Sequence, residues 1–267
     1  MPPDISAYAI PVAEEAPLTP VKKALATAFR ESEGHLELIQ SAFLGLNQLA
    51  PRSPALRTFF NSWGQTNNSA SALSGYCNRL TALCLDAGQG LEREGIFNAI
   101  CHLHRVSDED LGATGATVHA DLFYQMASFF CGGDAWLSRR YITAESAAFR
   151  QWKEELMLRH SDLSYGLIVT LVHELATHGE VEFIRPVFER WADGHYPETS
   201  REAHKNLAWV RVHCGGTEEQ HFQHSLLAAE AFCQARGIDL AEYPLESIFS
   251  EYLQRKAEAM SSAVSLL

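Results

Sequence analysis

Apolar residues recur every three to four positions along most of this 267-residue chain, and that spacing restricts the fold to packed helices. Stretches that alternate apolar and polar residues are missing, as are runs rich in Val, Ile and Thr between turn residues. The longest early run extends from Val21 to Leu49 and ends at Pro51. We therefore predict an all-α fold, a single bundle of eight or nine helices over residues 21–267.

The first twenty residues have a different composition. Residues 1–20 hold five prolines, three acidic residues and no Lys or Arg, which is typical of a flexible N-terminal arm and unlike a signal peptide. The six cysteines are scattered and form no Cys-x-x-Cys pair. Without a secretion signal they are expected to be buried thiols in a reducing compartment, so a cytoplasmic location is expected.

Charge and hydropathy exclude two classes of partner. The 21 Lys and Arg residues against 33 Asp and Glu residues give a formal net charge of −12, and an acidic surface repels a phosphate backbone. The chain also lacks any stretch of about 18 or more apolar residues, the length that a membrane-spanning helix needs. We expect neither a nucleic acid nor a membrane among the partners of this protein.

Histidines mark the part of the chain where chemistry is expected, because eleven of the twelve lie between His102 and His224. In the first candidate group, Glu109 lies in a predicted loop over residues 107–112, ten residues before His119. His119 begins a predicted amphipathic helix whose apolar side faces the core. A capping or solvated role for Glu109 is the alternative to metal binding.

The second candidate group lies in a helix that leaves little surface for solvent, LIVTLVHELATHGEVEF. Glu174 and His178 are four residues apart and share a face of this helix. A buried carboxylate is costly unless it is paired or bound to a cation. A zincin motif is excluded, because His173 and His178 are five residues apart, about 140° around a helix. The alternative is a core histidine that is satisfied by Glu174.

The third candidate group, WVRVHCGGTEEQHFQHSLL, gives the strongest signal. Glu218 and His221 are three residues apart, which is the Glu-x-x-His spacing of carboxylate-bridged di-iron bundles. His213 lies eight residues before His221, and the Gly-Gly pair between them allows a bulge that turns it to the same side. His224 continues this face. Two histidines with a carboxylate suit Fe²⁺ or Mn²⁺, whereas a surface His/Glu cluster is the alternative.

Taken together, these residues resemble the pattern of the haem-oxygenase-like di-iron oxidases, non-haem enzymes on the helical bundle that haem oxygenase and thiaminase-like proteins share. The resemblance covers about residues 90–235. It consists of a Glu shortly before a His-x-x-Leu-Phe helix start, a Glu in a later helix, and a final His-Glu-His motif. The metal ligands that it implies are Glu109, His119, Glu174, His213, Glu218 and His221, with Glu180, His178 and His224 as less certain candidates.

Departures from the family pattern leave individual ligands open. The last motif reads His-x4-Glu-x2-His, one residue longer than the usual His-x3-Asp/Glu-x2-His, and the Gly-Gly pair is the place where the extra residue is absorbed. Glu180 competes with Glu174 for the place in the central helix. Asp108 or Asp110 could substitute for Glu109.

The resemblance implies a function as well as a fold. It implies two Fe²⁺ per chain and activation of O2 to oxidise a small organic substrate, an amine, amino acid or fatty acid, in a biosynthetic pathway. No catalytic residue is expected beyond the metal ligands, while an electron donor and a homodimer are compatible with the family. The alternatives are a metal-free thiaminase-like enzyme or cofactor-free oxidase on the same bundle, a non-catalytic helical binding protein, and haem bound by His35.

Overall fold

A computed structural model describes residues 3–67, 69–87, 89–113 and 117–265. Over these ranges the chain is helical and contains no strand, which confirms the predicted all-α fold class. None of the helices in these ranges is long and apolar enough to cross a membrane. The α-helices are α1 Ile5–Glu14, α2 Thr19–Glu31, α3 Glu33–Gly45, α4 Pro54–Asn67, α5 Ala70–Asp86, α6 Leu91–Asp110, α7 His119–Cys131, α8 Ala144–Leu158, α9 Ser164–His195, α10 Ser200–Asn206, α11 Ala208–Val212, α12 Thr217–Arg236 and α13 Leu245–Val264.

Helix α9 runs through the interior of the bundle. Its apolar residues lie on all sides rather than on one stripe, so the helix is surrounded by other helices. Helices α1, α8, α12 and α13 all pack against it. A polar side chain on α9 therefore lies inside the protein, and Glu174 and Glu180 are both buried.

Helices α6 and α12 form a closely packed antiparallel pair. At one end, a Cβ atom added to Gly95 would lie 2.6 Å from Cβ of Ala235, so glycine at this position lets the two backbones approach. At the other end, Glu109 contacts His221. The last turn of α6 and the first turns of α12 are therefore neighbours, and both carry candidate ligands.

The N-terminal segment differs from the flexible arm expected over residues 1–20. Its first two residues lie outside the described ranges, but Ile5–Glu14 forms α1, which packs on α9. Gly179 supplies the physical reason, because a Cβ atom there would lie 2.8 Å from the carbonyl oxygen of Ile5. The side chain of Asp4 caps the helix by accepting a hydrogen bond of 2.7 Å from the backbone of Ala7.

Candidate metal centre

One group of potential ligands consists of Asp110, His119 and His213. The Nδ1 atom of His119 lies 2.7 Å from Oδ1 of Asp110 and 3.1 Å from Nε2 of His213. The Nε2 atom of His213 lies 3.8 Å from the same oxygen of Asp110. Both histidines are buried. Three nitrogen and oxygen donors thus converge from the end of α6, the start of α7 and the turn before α12.

Local structure fixes the orientation of His213. Its Nδ1–H donates a hydrogen bond of 2.7 Å to the carbonyl of Trp209, one turn earlier. This assigns the proton to Nδ1 and leaves the lone pair of Nε2 facing Asp110 and His119, which is the tautomer that a metal ligand requires. Gly215 and Gly216 follow with φ angles of +75° and +101°, so the chain turns sharply before α12 begins.

The second group of potential ligands consists of Glu174, Glu218 and His221, all buried. The Nδ1 atom of His221 lies 3.5 Å from Oε2 of Glu218 and 3.7 Å from Oε2 of Glu174. Glu218 lies in the first turn of α12, where the helix dipole favours a negative charge. Glu174 reaches the same place from the middle of α9.

Glu218 connects the two groups. Its Oε1 atom lies 3.7 Å from Nε2 of His213, while its Oε2 atom lies 3.5 Å from Nδ1 of His221. The two oxygens of one carboxylate therefore face a histidine of each group. This is the arrangement expected of a carboxylate shared between two metal ions.

The charges of the two groups favour the binding of a cation. Burial and the neighbouring Glu218 carboxylate raise the pKa of Glu174 well above its usual range. Burial opposes the charged form of His221, but the carboxylates of Glu218 and Glu174 outweigh it and raise the pKa of that ring to about 10. Burial alone would raise the pKa of Asp110, but its hydrogen bond with His119 and the nearby histidines lower it. Three carboxylates share one buried region, and a metal ion would stabilise all of them.

The predicted ligand Glu109 lies outside the first group, and Asp110 takes its place. The predicted loop over 107–112 is helical up to Asp110. Leu103, Val106 and Asp110 follow the three-to-four spacing of a buried helix face, whereas Glu109 is about 100° away from Asp110 around the helix. Its side chain is 45% exposed, and its Oε2 lies 3.2 Å from Nε2 of His221. The apolar spacing of α6, extended through the loop, is the signal that selects Asp110.

Glu180, the competitor of Glu174, belongs to a different cluster. Its Oε2 atom forms a salt bridge of 2.8 Å with Nζ of Lys256, and each side chain is 1% exposed. Its Oε1 atom accepts hydrogen bonds of 2.9 Å from Nε1 of Trp63 and 2.7 Å from Nδ2 of Asn67. This carboxylate already has a cation and two donors, so it does not join the two candidate ligand groups.

The two remaining histidine candidates also lie outside both groups. His178 is buried on α9, but its ring nitrogens do not join the ligand atoms of either group. His224 is partly buried, and its Nδ1 lies 3.2 Å from Nδ1 of His102 across the α6 and α12 pair. Neither position places a donor beside the three carboxylates.

His173 has a partner on each side of its ring, which the sequence did not reveal. Its Nε2 lies 2.6 Å from Oγ of Ser69, and its Nδ1 lies 2.8 Å from the hydroxyl of Tyr252. Burial, with Lys153 close by, lowers the pKa of this ring well below its usual range. It is a hydrogen-bonded core histidine rather than a metal ligand, which agrees with the exclusion of a zincin motif.

A cavity of about 320 Å³ opens beside the first ligand group. Asp110, His119 and His213 form part of its wall. The rest of the wall combines aromatic, aliphatic and small residues with amides, hydroxyls and one arginine: Leu111, Phe123, Tyr124, Trp136, Leu137, Ile142, Trp209, Gly64, Ala70, Ala120, Asn61, Gln65, Asn67, Ser69, Ser71 and Arg150. A small molecule in this cavity would contact the first ligand group directly.

No family model matches the sequence, and no curated protein matches it either. Among solved structures, the chain is similar to a TenA homologue from Pseudomonas syringae pv. tomato. The two share 14% sequence identity, the alignment covers 87% of this chain and 90% of the other, and the TM-score is 0.54. The fold is a TenA-like helical bundle. This confirms the haem-oxygenase-like architecture expected from the resemblance, while the di-iron oxidase activity stays a prediction.

Proposed function

We propose that this protein is a non-haem di-iron oxidase that activates O2 to oxidise a small organic substrate. The position of Glu218 carries the proposal. Its two oxygens lie 3.7 Å from Nε2 of His213 and 3.5 Å from Nδ1 of His221, so one carboxylate faces both ligand groups. Neither a mononuclear metal site nor a surface cluster requires a carboxylate that faces two ligand groups.

The donor set fits two divalent ions of this kind. One ion would be held by Asp110, His119 and His213, the other by Glu174 and His221, with Glu218 shared between them. Two ligands at about 2.1 Å from one ion lie about 3.0–3.4 Å apart, close to the donor separations within each group. Imidazole and carboxylate donors without a thiolate suit Fe²⁺, and the three carboxylates offset most of the charge of two such ions.

The chain's own residues would orient the ligands and shape the reaction space. When bound, the iron pair supplies the reduction of O2 and the oxidising power for the substrate. The carbonyl of Trp209 holds the ring of His213, and Glu109 lies beside the outer nitrogen of His221, as outer partners of metal-bound histidines do. Phe123 and Trp209 line the cavity beside the first group, where their aromatic rings would reduce the access of water.

The test is an anaerobic titration of metal-free protein with Fe²⁺, followed by rapid mixing with O2 under visible absorption. We expect saturation near two irons per chain and a transient absorption band after mixing. His213→Ala and His221→Ala should each lose iron, whereas His224→Ala, one turn further along α12, should keep both ions. A folded His213→Ala/His221→Ala double variant that still bound two irons would contradict the ligand assignment.

The second candidate is a metal-free enzyme of the thiaminase type, which the likeness to the TenA homologue favours. Such an enzyme needs a carboxylate or cysteine as its reactive group. The cysteines do not suit this role, because burial raises the pKa of Cys77, Cys131 and Cys214 to about 12, and no cysteine among the described residues lines the cavity. Turnover in the presence of a strong chelator, with no metal detectable, would favour this candidate over the first.

A further inference from the structure

The cavity beside the first ligand group has one positively charged side chain among its described lining residues. Arg150, on α8, is the only Lys or Arg among these lining residues. Its Nε donates a hydrogen bond of 2.6 Å to Glu154, and its Nη1 donates one of 3.1 Å to Gln65. The side chain is 47% exposed, and Nη2 has no acceptor among the described residues. The guanidinium therefore keeps donors available for a ligand at the cavity mouth.

Neighbouring amides hold Arg150 in this place. Gln65 donates a hydrogen bond of 3.3 Å to Asn61, and Asn61 donates one of 2.5 Å to the carbonyl of Trp136. Glu154 holds the guanidinium from the other side. A cation restrained by two partners loses little conformational entropy when a ligand binds, which favours its use as a recognition group.

Aromatic rings form an apolar part of the cavity wall. Phe123, Trp136 and Trp209 lie inside, with ring centroids of Phe123 at 6.0 Å from Trp136 and 5.3 Å from Trp209. At the mouth, Leu111, Tyr124 and Leu137 are exposed although they are large and apolar. Exposed apolar residues around a cavity are typical of a binding site for an apolar group.

We propose that the cavity binds an amphipathic monocarboxylic acid, a step that deepens the proposed function by naming its substrate class. The carboxylate lies on Arg150 at the mouth, and the hydrocarbon or aromatic body lies against the contacting rings of Phe123 and Trp209, next to His119 and His213. A guanidinium fork matches the two oxygens of a carboxylate. A phosphate dianion fits poorly, because it brings two negative charges to a wall whose one arginine is already shared with a glutamate, whereas a carboxylate brings one.

The test measures binding of 3-phenylpropanoate and of 3-phenylpropan-1-ol by calorimetry, with a chelator present throughout. The two probes share their apolar body and differ in the carboxylate. We expect the acid to bind about tenfold or more tightly than the alcohol, the size of effect expected for hydrogen bonds to a charged group. Arg150→Gln should abolish this preference while leaving the binding of the alcohol unchanged, and Arg150→Lys should retain part of it.

Arg159 provides the matched control. It lies at the end of α8, is 70% exposed and is paired with Glu155 as Arg150 is with Glu154. Arg159→Gln should leave both affinities unchanged. Equal binding of acid and alcohol, failure of the acid to bind, or a preference that survives in Arg150→Gln would each overturn the proposal. Because the chelator removes metal, these results are independent of the iron titration, and either proposal can fail while the other stands.

Discussion

Two buried carboxylates on the same helix, Glu174 and Glu180, have opposite surroundings. Glu180 has a lysine at 2.8 Å and two further hydrogen-bond donors, so the protein itself supplies its countercharge. Glu174 faces the carboxylate of Glu218 and the ring of His221 instead. The first arrangement is complete without any other group, whereas the second is stabilised by a bound cation.

Burial of a carboxylate therefore does not by itself indicate a metal site. The informative property is the sum of charges within a few ångströms. Around Glu180 that sum is balanced by Lys256, and around Glu174 it is negative unless protons or metal ions are bound.

The largest expected effect is on the Glu180 cluster. Lys256→Met should lower the free energy of unfolding by about 3–5 kcal/mol, because it leaves the buried Glu180 without its cation. Urea denaturation measures the change. Lys23→Met, at an exposed position on α2, is the control and should change the free energy by less than about 0.5 kcal/mol. A small loss in Lys256→Met would show that Glu180 does not depend on this lysine.

A second buried lysine, Lys153, lies near Glu174 and Lys256 and should make stability depend on pH. Burial and the charge of Lys256 lower the pKa of Lys153 from 10.5 to about 7. Between these values the unfolded chain holds a proton on Lys153 that the folded chain lacks, so stability should rise with pH by up to about 1.4 kcal/mol per unit.

The measurement is urea denaturation at pH 7, 8 and 9 for the wild type and Lys153→Met. The variant should lose this slope, because Met has no proton to exchange. The same slope in both proteins would show that groups other than Lys153 cause the pH dependence of stability.

Glu109 should tune the iron site without holding a metal ion. Glu109→Gln should weaken Fe²⁺ binding about tenfold to a hundredfold, the usual effect of losing an outer partner of a ligating histidine, while two irons are still bound at saturation. The anaerobic titration measures both quantities. Glu94→Gln, an exposed change on the same helix, should leave them unaltered. Loss of one iron in Glu109→Gln would make Glu109 a ligand.

The smallest expected effect is on the stability of the metal-free protein when Glu174 is replaced. Glu174→Gln removes the repulsion with Glu218 and keeps the shape of the side chain, so the free energy of unfolding should change by less than about 1 kcal/mol. The same variant should take up less Fe²⁺. If its stability fell as far as that of Lys256→Met, the contrast between the two carboxylates would be lost.

Residues that act within a few turns of each other were predictable from the sequence. Glu218 and His221 lie close together in the structure, as their Glu-x-x-His spacing predicts. The Gly-Gly pair turns the chain as expected, so that His213 reaches Glu218. The helical periodicity gave the all-α fold. These features depend on local geometry, which spacing along the chain describes well.

Features that depend on distant contacts could not be predicted in this way. The salt bridge that supplies the countercharge of Glu180 comes from Lys256, on another helix. The choice of Asp110 over Glu109 depends on where α6 ends, and one residue changes the direction of a side chain by about 100°. Docking of α1 depends on the space above Gly179. Packing between helices determines each of these three features, and the residue spacing within one segment does not show it.

The contact at Gly95 also determines how far a distant change can disturb the ligand geometry. Residues 95 and 110 are separated by about 22 Å along α6. If a side chain at residue 95 pushed that end of the helix away from Ala235 and tilted it by about 5°, Asp110 would shift by about 2 Å. Functional groups must stay within about 0.5 Å of their working positions. The helix thus acts as a lever, and a methyl group at one end is enough to misplace a carboxylate at the other.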